Sequence, residues 1–268
     1  MTRHAQERGI PAIRTWTRPE LLLAGCLVLL AAVAWLVAGS IAMPGVRMGL
    51  LTGMSTGSMP GAEPVAFALF LITWVVMMAA MMLPAITPFT VGVSRLVRAR
   101  PGARGSVAWL TAGYLVLWGA VGALAYPVLL GFGALAAGGP ASGVRAGAVV
   151  LLIAGAYQFS PLKQRCLVRC RSPLALVVEH GNRAARSRRG ALAVGIGHGG
   201  YCLGCCWALM AVLLAAGAMS LAWMAAITAV IAAEKVVPGG RTISYALGTA
   251  LIGLGTALLA APGLVGTA

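Results

Sequence analysis

Apolar positions in this chain fall in long uninterrupted runs, not in alternation or in the three-to-four spacing of a surface helix. Runs of about 18 or more such residues with few or no charges mark helices that cross a lipid bilayer. They lie near residues 21–42, 65–88, 106–135, 143–162, 191–219, 221–237 and 242–265. The third is long enough to tilt, with Pro127 placed to kink it, and the sixth is short. No water reaches the hydrocarbon core, so backbone groups there must be satisfied within helices or a closed barrel. These runs are too long and too uniformly apolar for barrel strands. The pattern predicts an all-α fold, a polytopic transmembrane helix bundle of about seven spans. Residues 1–20 form a basic segment ahead of it and residues 21–265 the helical domain. The first run is too long for a signal-peptide core and lacks a small-x-small cleavage context, so it is expected to remain as the first helix.

Charge adds orientation. Only 9% of the 268 residues are charged, where a soluble chain carries about a quarter, and the mean hydropathy is +0.93. The formal charge of +15 would suggest nucleic acid in a soluble protein, but here the basic residues occupy alternate connections between spans. They cluster at Arg3–Arg18, Arg95–Arg104, Lys163–Arg189 and Lys235–Arg241, and only Arg47 and Arg145 fall on the other side. By the positive-inside rule the N-terminus is cytoplasmic and the C-terminus outside, which requires an odd number of spans. The expected setting is a bacterial inner membrane, with the lipid bilayer and not nucleic acid as partner. The largest connection, about 163–190, is too short and basic to fold alone, and reads as an amphipathic segment on anionic headgroups.

The chemistry lies in soft ligands. The fifth run contains GIGHGGYCLGCCWALM, holding His198, Cys202, Cys205, Cys206 and Met210. Residues three and four apart share a helix face, so His198, Cys202 and Cys205 or Cys206 stack on one stripe. Thiolate, thioether and imidazole suit Cu(I), and thiolate with imidazole also suits Zn(II). A single helix cannot wrap a metal, so other spans must complete the shell. The second run, WVVMMAAMMLP, stacks Met77 on Met81 and Met78 on Met82, at a depth matching His198 and Cys202. Cysteine as a small packed residue and methionine as a core filler are the competing readings.

Glu234 is the one acidic residue embedded in a run. An intramembrane carboxylate is costly and needs a partner. It is either an interfacial anchor near Lys235, or a group facing the bundle as ligand, proton carrier or acceptor for His198. Gly195 with Gly199, and Gly200 with Gly204, are spaced for close helix packing. Cys166 and Cys170, four apart in YQFSPLKQRCLVRCRSP, sit among arginines expected to lower their thiol pKa. They serve as a hand-off point for a metal, or as interfacial or palmitoylated cysteines. Met43, Met48, Met54 and Met59 in the first outer loop could collect Cu(I). Cys26 receives no role. No Ser-His-Asp grouping, carboxylate pair or phosphate loop is present, and with no Asp and five acidic residues in all, acid–base hydrolysis has few candidates.

WVVMMAAMMLP, YQFSPLKQRCLVRC, GIGHGGYCLGCCWALM with GAMSLAWM, and AAEKVVPGG together resemble a bacterial family known as DUF2182, described as predicted metal-binding integral membrane proteins. The resemblance spans roughly residues 65–240. It implies metal binding at Met77, Met78, Met81, Met82, His198, Cys202, Cys205, Cys206 and Glu234; Cys166 and Cys170, read from their own spacing, are further candidates. The expected function is to bind a soft metal ion, Cu(I) before Zn(II), for transport or for delivery to a metalloenzyme. A metallochaperone or membrane metalloenzyme would be the partner. Two alternatives stay open: a membrane thiol oxidoreductase using Cys202, Cys205 and Cys206, and an assembly subunit whose Cys and Met merely pack.

Overall fold

Apolar runs close into helices because every backbone N–H and C=O then finds its partner within the segment. In the computed structural model, which describes residues 17–41, 48–49, 53–54, 64–98, 105–137, 140–217 and 220–261, the runs form α1 (Arg18–Ile41), α2 (Pro64–Arg98), α3 (Ser106–Ala137), α4 (Pro140–Gln158), α7 (Arg188–Gly217), α8 (Leu221–Val236) and α9 (Gly240–Ala260). Between them lie β1 (Met48–Gly49), β2 (Gly53–Met54), α5 (Pro161–Arg171) and α6 (Pro173–Arg186). Six of the helices, α1, α2, α3, α4, α7 and α9, are long and apolar enough to cross a membrane. The sixth predicted run is α8, whose 16 residues reach about 24 Å at ~1.5 Å per residue, short of the ~30 Å hydrocarbon core. By the same rise α2 and α7, with 35 and 30 residues, reach about 52 and 45 Å.

Two boundaries differ from the sequence reading. The apolar run 143–162 is broken after Gln158, because Ser160 caps a new helix, accepting from the Lys163 backbone N–H at 3.1 Å with Pro161 just inside its start. The basic connection that follows is two helices folded onto the bundle. The α6 helix turns Leu176, Val177, Ala184 and Ala185 inward and leaves Arg183 and Arg186 exposed. Pro127 sits within a continuous α3.

The centre of the bundle is α7, which packs against α3, α4, α5, α6 and α8. Its approach to α3 depends on missing side chains: a Cβ at Gly195 would strike the Leu110 carbonyl, and one at Gly199 would lie 2.7 Å from Leu117 Cδ2. Gly200 faces open space and takes no part. A second pair, α4 on α9, closes in the same way, with a Cβ at Gly248 2.9 Å from the Gly155 carbonyl. On the other flank α1 lies along α2. Proline at 84 has no N–H to give the Ala80 carbonyl one turn back; the Trp35 indole of α1 donates to that carbonyl at 3.1 Å. The start of α1 is tied to the end of α2 by a two-point ion pair, Glu20 to Arg95, both contacts 2.9 Å. Outward faces carry Leu22, Leu36, Leu69 and Leu124, as expected for surfaces that meet lipid. Of the outer-loop methionines, Met48 and Met54 pair in the β1–β2 ladder; Met43 and Met59 lie outside the described residues.

Candidate metal centre

The glycine-lined contact with α3 and the antiparallel run of α2 bring three helices to one point beside α7. Cys202, Cys205 and Cys206 are buried, with their sulfur atoms all within 4.8 Å of one another. The thiols of Cys205 and Cys206 both donate to the Cys202 carbonyl at 3.0 Å, which turns them back toward the same side of the helix. The Met82 thioether of α2 lies 3.9 Å from Cys202 Sγ. The matching depth of the two runs is thus a contact. Met77, Met78 and Met81 are buried in the same core, and Met82 is the one whose sulfur meets a cysteine among the described residues.

The fourth cysteine comes from α5: Cys170 Sγ is 3.8 Å from Cys205 Sγ. One turn earlier, Cys166 presses on Gly204, where a Cβ would sit 2.5 Å from its sulfur. The arginines around these two thiols do not set their acidity. Burial, followed by the Cys205 sulfur, pushes the Cys166 thiol up. Contact with the Cys202 and Cys205 sulfurs, followed by burial, pushes Cys170 well up. The expected lowering is therefore reversed, because burial and the sulfurs of α7 act on the thiols while Arg169 is engaged by Glu179 and Arg171 by the α8 carbonyls. All six cysteines are free thiols.

Two polar groups point at the cluster that the sequence reading passed over. Tyr114 OH of α3 donates to Cys202 Sγ at 3.1 Å, and Lys235 Nζ of α8 donates to the same sulfur at 3.2 Å. Two donors, one cationic, are what a thiolate requires in a dry setting. No sequence signal marked Tyr114. Lys235 is visible in the sequence as a cation inside an apolar run, but nothing in its spacing points it at Cys202.

Glu234 belongs elsewhere. Its two carboxylate oxygens each take Lys163 Nζ at 2.8 Å, and Ser244 of α9 donates to one of them at 2.9 Å. The Gln158 side chain also accepts from Lys163. The structure therefore seats Glu234 in a buried ion pair, not at the sulfur cluster or against His198. Adjacent residues on α8 point about 100° apart, so Glu234 reaches α5 and α9 while Lys235 reaches α7. Arg171 then caps α8, donating to the carbonyls of Glu234 and Val237 at 2.8 and 2.7 Å.

His198 is one turn before Cys202, with its ring stacked on Phe89 at 4.5 Å between centroids and tilted against Tyr114 at 6.0 Å. Its Nδ1 is buried without a hydrogen-bond partner. Buried polar atoms are normally satisfied, so an orphaned imidazole nitrogen beside a thiol cluster fits a site that takes a soft ion. The donor set as a whole, four thiols and a thioether with an imidazole a turn away, fits Cu(I) by the same chemistry.

A family described as PpoB2, copper chaperone, matches residues 71–258, well over half of the chain. The chain belongs to this copper chaperone family. The match runs from α2 to the last turns of α9 and so contains every residue of the cluster. The DUF2182 resemblance covered nearly the same stretch, 65–240, and metal binding was the property it implied. No curated protein and no solved structure matches the chain. The copper chaperone assignment thus meets the geometry at one place, the α2–α5–α7 sulfur cluster.

Proposed function

We propose that this member of the copper chaperone family holds Cu(I) as cargo inside its helix bundle and delivers it to a membrane or exported metalloenzyme. The observation that carries the reading is the convergence of Cys170, Cys202, Cys205, Cys206 and Met82 from three helices. Cys202, Cys205 and Cys206 form the core of the ligand set. Cys170 and Met82 close it from either side, and His198 stands ready at its inner end. Lys235 and Tyr114 hold Cys202 in place when the ion is absent. Zinc suits the thiols too, but a thioether at 3.9 Å from Cys202 favours the softer ion.

The same reading places the chain in a bacterial inner membrane with seven spans, α8 being the short one, the N-terminus in the cytoplasm and the C-terminus outside. Support comes from described arginines of these connections, Arg95 paired with Glu20 at the start of α1 and Arg171 capping α8. The sulfur cluster then lies level with the cytoplasmic end of α8. A second reading, thiol–disulfide exchange, is favoured by one distance, the 3.8 Å between Cys170 and Cys205 on different helices.

Metal content by mass spectrometry on detergent-purified protein tests the proposal, with Cys202→Ser and His198→Ala beside the parent. Near-stoichiometric copper that falls in both variants is expected. Protein that stays empty after anaerobic reconstitution with Cu(I) would sink the copper reading. Redox-dependent alkylation of Cys170 and Cys205 in such metal-free protein would establish the second.

A further inference from the structure

Where α4 ends and α5 begins, the bundle surface opens into a groove of about 690 Å³ whose lining includes Arg165, Arg169, Arg241, Tyr201 and Cys166. Stacked rings of Phe159 and Tyr245, 5.3 Å apart, make its apolar wall. No acidic side chain lines it. Arg169 is shared with Glu179 and lies over the Tyr201 ring at 5.8 Å. Among the described residues Arg241 donates to Gln164 alone, at 3.4 Å, and Arg165 is exposed. Two guanidinium groups therefore remain to take an anion, and guanidinium forks match carboxylates.

The groove leads to the metal site. Cys166 lines it and its sulfur rests on Gly204 of α7, next in sequence to Cys205. Cys170, one turn along α5, touches Cys205 at 3.8 Å, and Cys202 then reaches Met82 at 3.9 Å. Cys166 thus stands between the groove and the α7 segment that carries the cluster. A volume of this size is that of a small-molecule site; a protein partner would need a broad surface of about 800 Å² on each side.

We propose that the groove receives a Cu(I) complex of a small, carboxylate-bearing thiol and that Cys166 takes the ion from it. This deepens the copper reading and rests on it. The Cys166 sulfur bonds to copper as the carrier's sulfur–copper bond breaks. The Cys166 proton passes to the departing carrier thiolate, and copper stays Cu(I) throughout. Ligand exchange to Cys170 and Cys205 completes the entry. A carrier of this kind belongs on the reducing, arginine-rich side of the membrane, where thiols are maintained.

Anaerobic stopped-flow transfer into detergent-purified protein tests this, with Cu(I)–glutathione as the anionic carrier and Cu(I)–cysteamine as its cationic counterpart. The parent should take copper from glutathione about tenfold faster or more, the lower range of electrostatic steering. Arg165→Gln/Arg241→Gln should erase that preference, whereas Arg186→Gln, on α6 outside the groove, should keep it. Cys166→Ser should slow uptake from glutathione yet reach the parent's final copper content. Equal rates from the two carriers in the parent overturn the proposal without any variant, and so does an unchanged rate in Cys166→Ser. Full final copper with carrier-blind rates refutes the groove alone, while no uptake from either carrier or from free Cu(I) refutes the copper reading.

Discussion

Lys163→Met removes one half of the most deeply buried ion pair among the described residues, with side chains of Lys163 and Glu234 only 1% and 2% exposed. Both carboxylate oxygens lose a donor at 2.8 Å, and the carboxylate keeps only the Ser244 hydroxyl at 2.9 Å. One neutral donor cannot compensate a full charge in this setting. Breaking such a pair from one side costs about 3–5 kcal/mol, against almost nothing when both partners become apolar. The lower bound is a drop of roughly 150-fold in the folded-to-unfolded ratio, at ~1.4 kcal/mol per tenfold. The assay is unfolding in detergent, followed by accessibility of the buried thiols. Lys163→Met/Glu234→Leu should recover most of the loss, with a coupling of about 2 kcal/mol or more between the two sites. The pair pins α5 to α8, so the single variant should also loosen Cys170 from Cys205 and lower copper retention, and the double should restore both. A single variant within about 1 kcal/mol of the parent, or a double as unstable as the two singles added, would refute the argument.

Gly195→Ala should destabilise the bundle by about 1–3 kcal/mol, because its Cβ meets the Leu110 backbone and no rotamer can relieve it. Gly200→Ala, opening on empty space inside α7, should hold or slightly raise the unfolding temperature. Gly204→Ala sets a methyl 2.5 Å from Cys166 Sγ and should push that thiol outward, seen as faster maleimide labelling of Cys166 with copper content kept. Tyr114→Phe deletes one donor to Cys202 and should weaken Cu(I) binding by about 10–100-fold, the usual effect of losing an outer-shell partner, as measured by competition with a Cu(I) chelator.

Helix spans and the α7 stripe were legible because they depend on local pattern: apolar length for the spans, and three-to-four spacing for Cys202, Cys205 and Cys206. The depth match of Met82 with Cys202 could also be read, since opposite chain directions fix depth once the spans are placed. What stayed hidden depends on rotation about helix axes and on where α5 folds. The apolar run 143–162 conceals the Ser160 cap, so Cys170 was placed on a peripheral segment, and Lys163 was counted as a surface charge. Glu234 was correctly marked as needing a partner, but the cation that answers it lies 71 residues away on the helix that the hydropathy pattern merged into α4. The acidity of Cys166 and Cys170 was misjudged for the same reason. Arg169 and Arg171, near in sequence, are taken up by Glu179 and by the α8 carbonyls, while the thiols meet buried sulfur.

Trp35 and Pro84 bear on how the protein is made. Proline leaves the Ala80 carbonyl without its helical donor, and the α1 indole supplies one at 3.1 Å. In hydrocarbon an orphaned carbonyl costs several kcal/mol, so α2 is a poor solitary span and a good second half of a hairpin. Entry of α1 and α2 into the lipid as a paired hairpin is the expected consequence. The first helix, which precedes the family match at residue 71, would then serve as a companion for the span that carries Met82 before the cysteines of α5 and α7 have been synthesised.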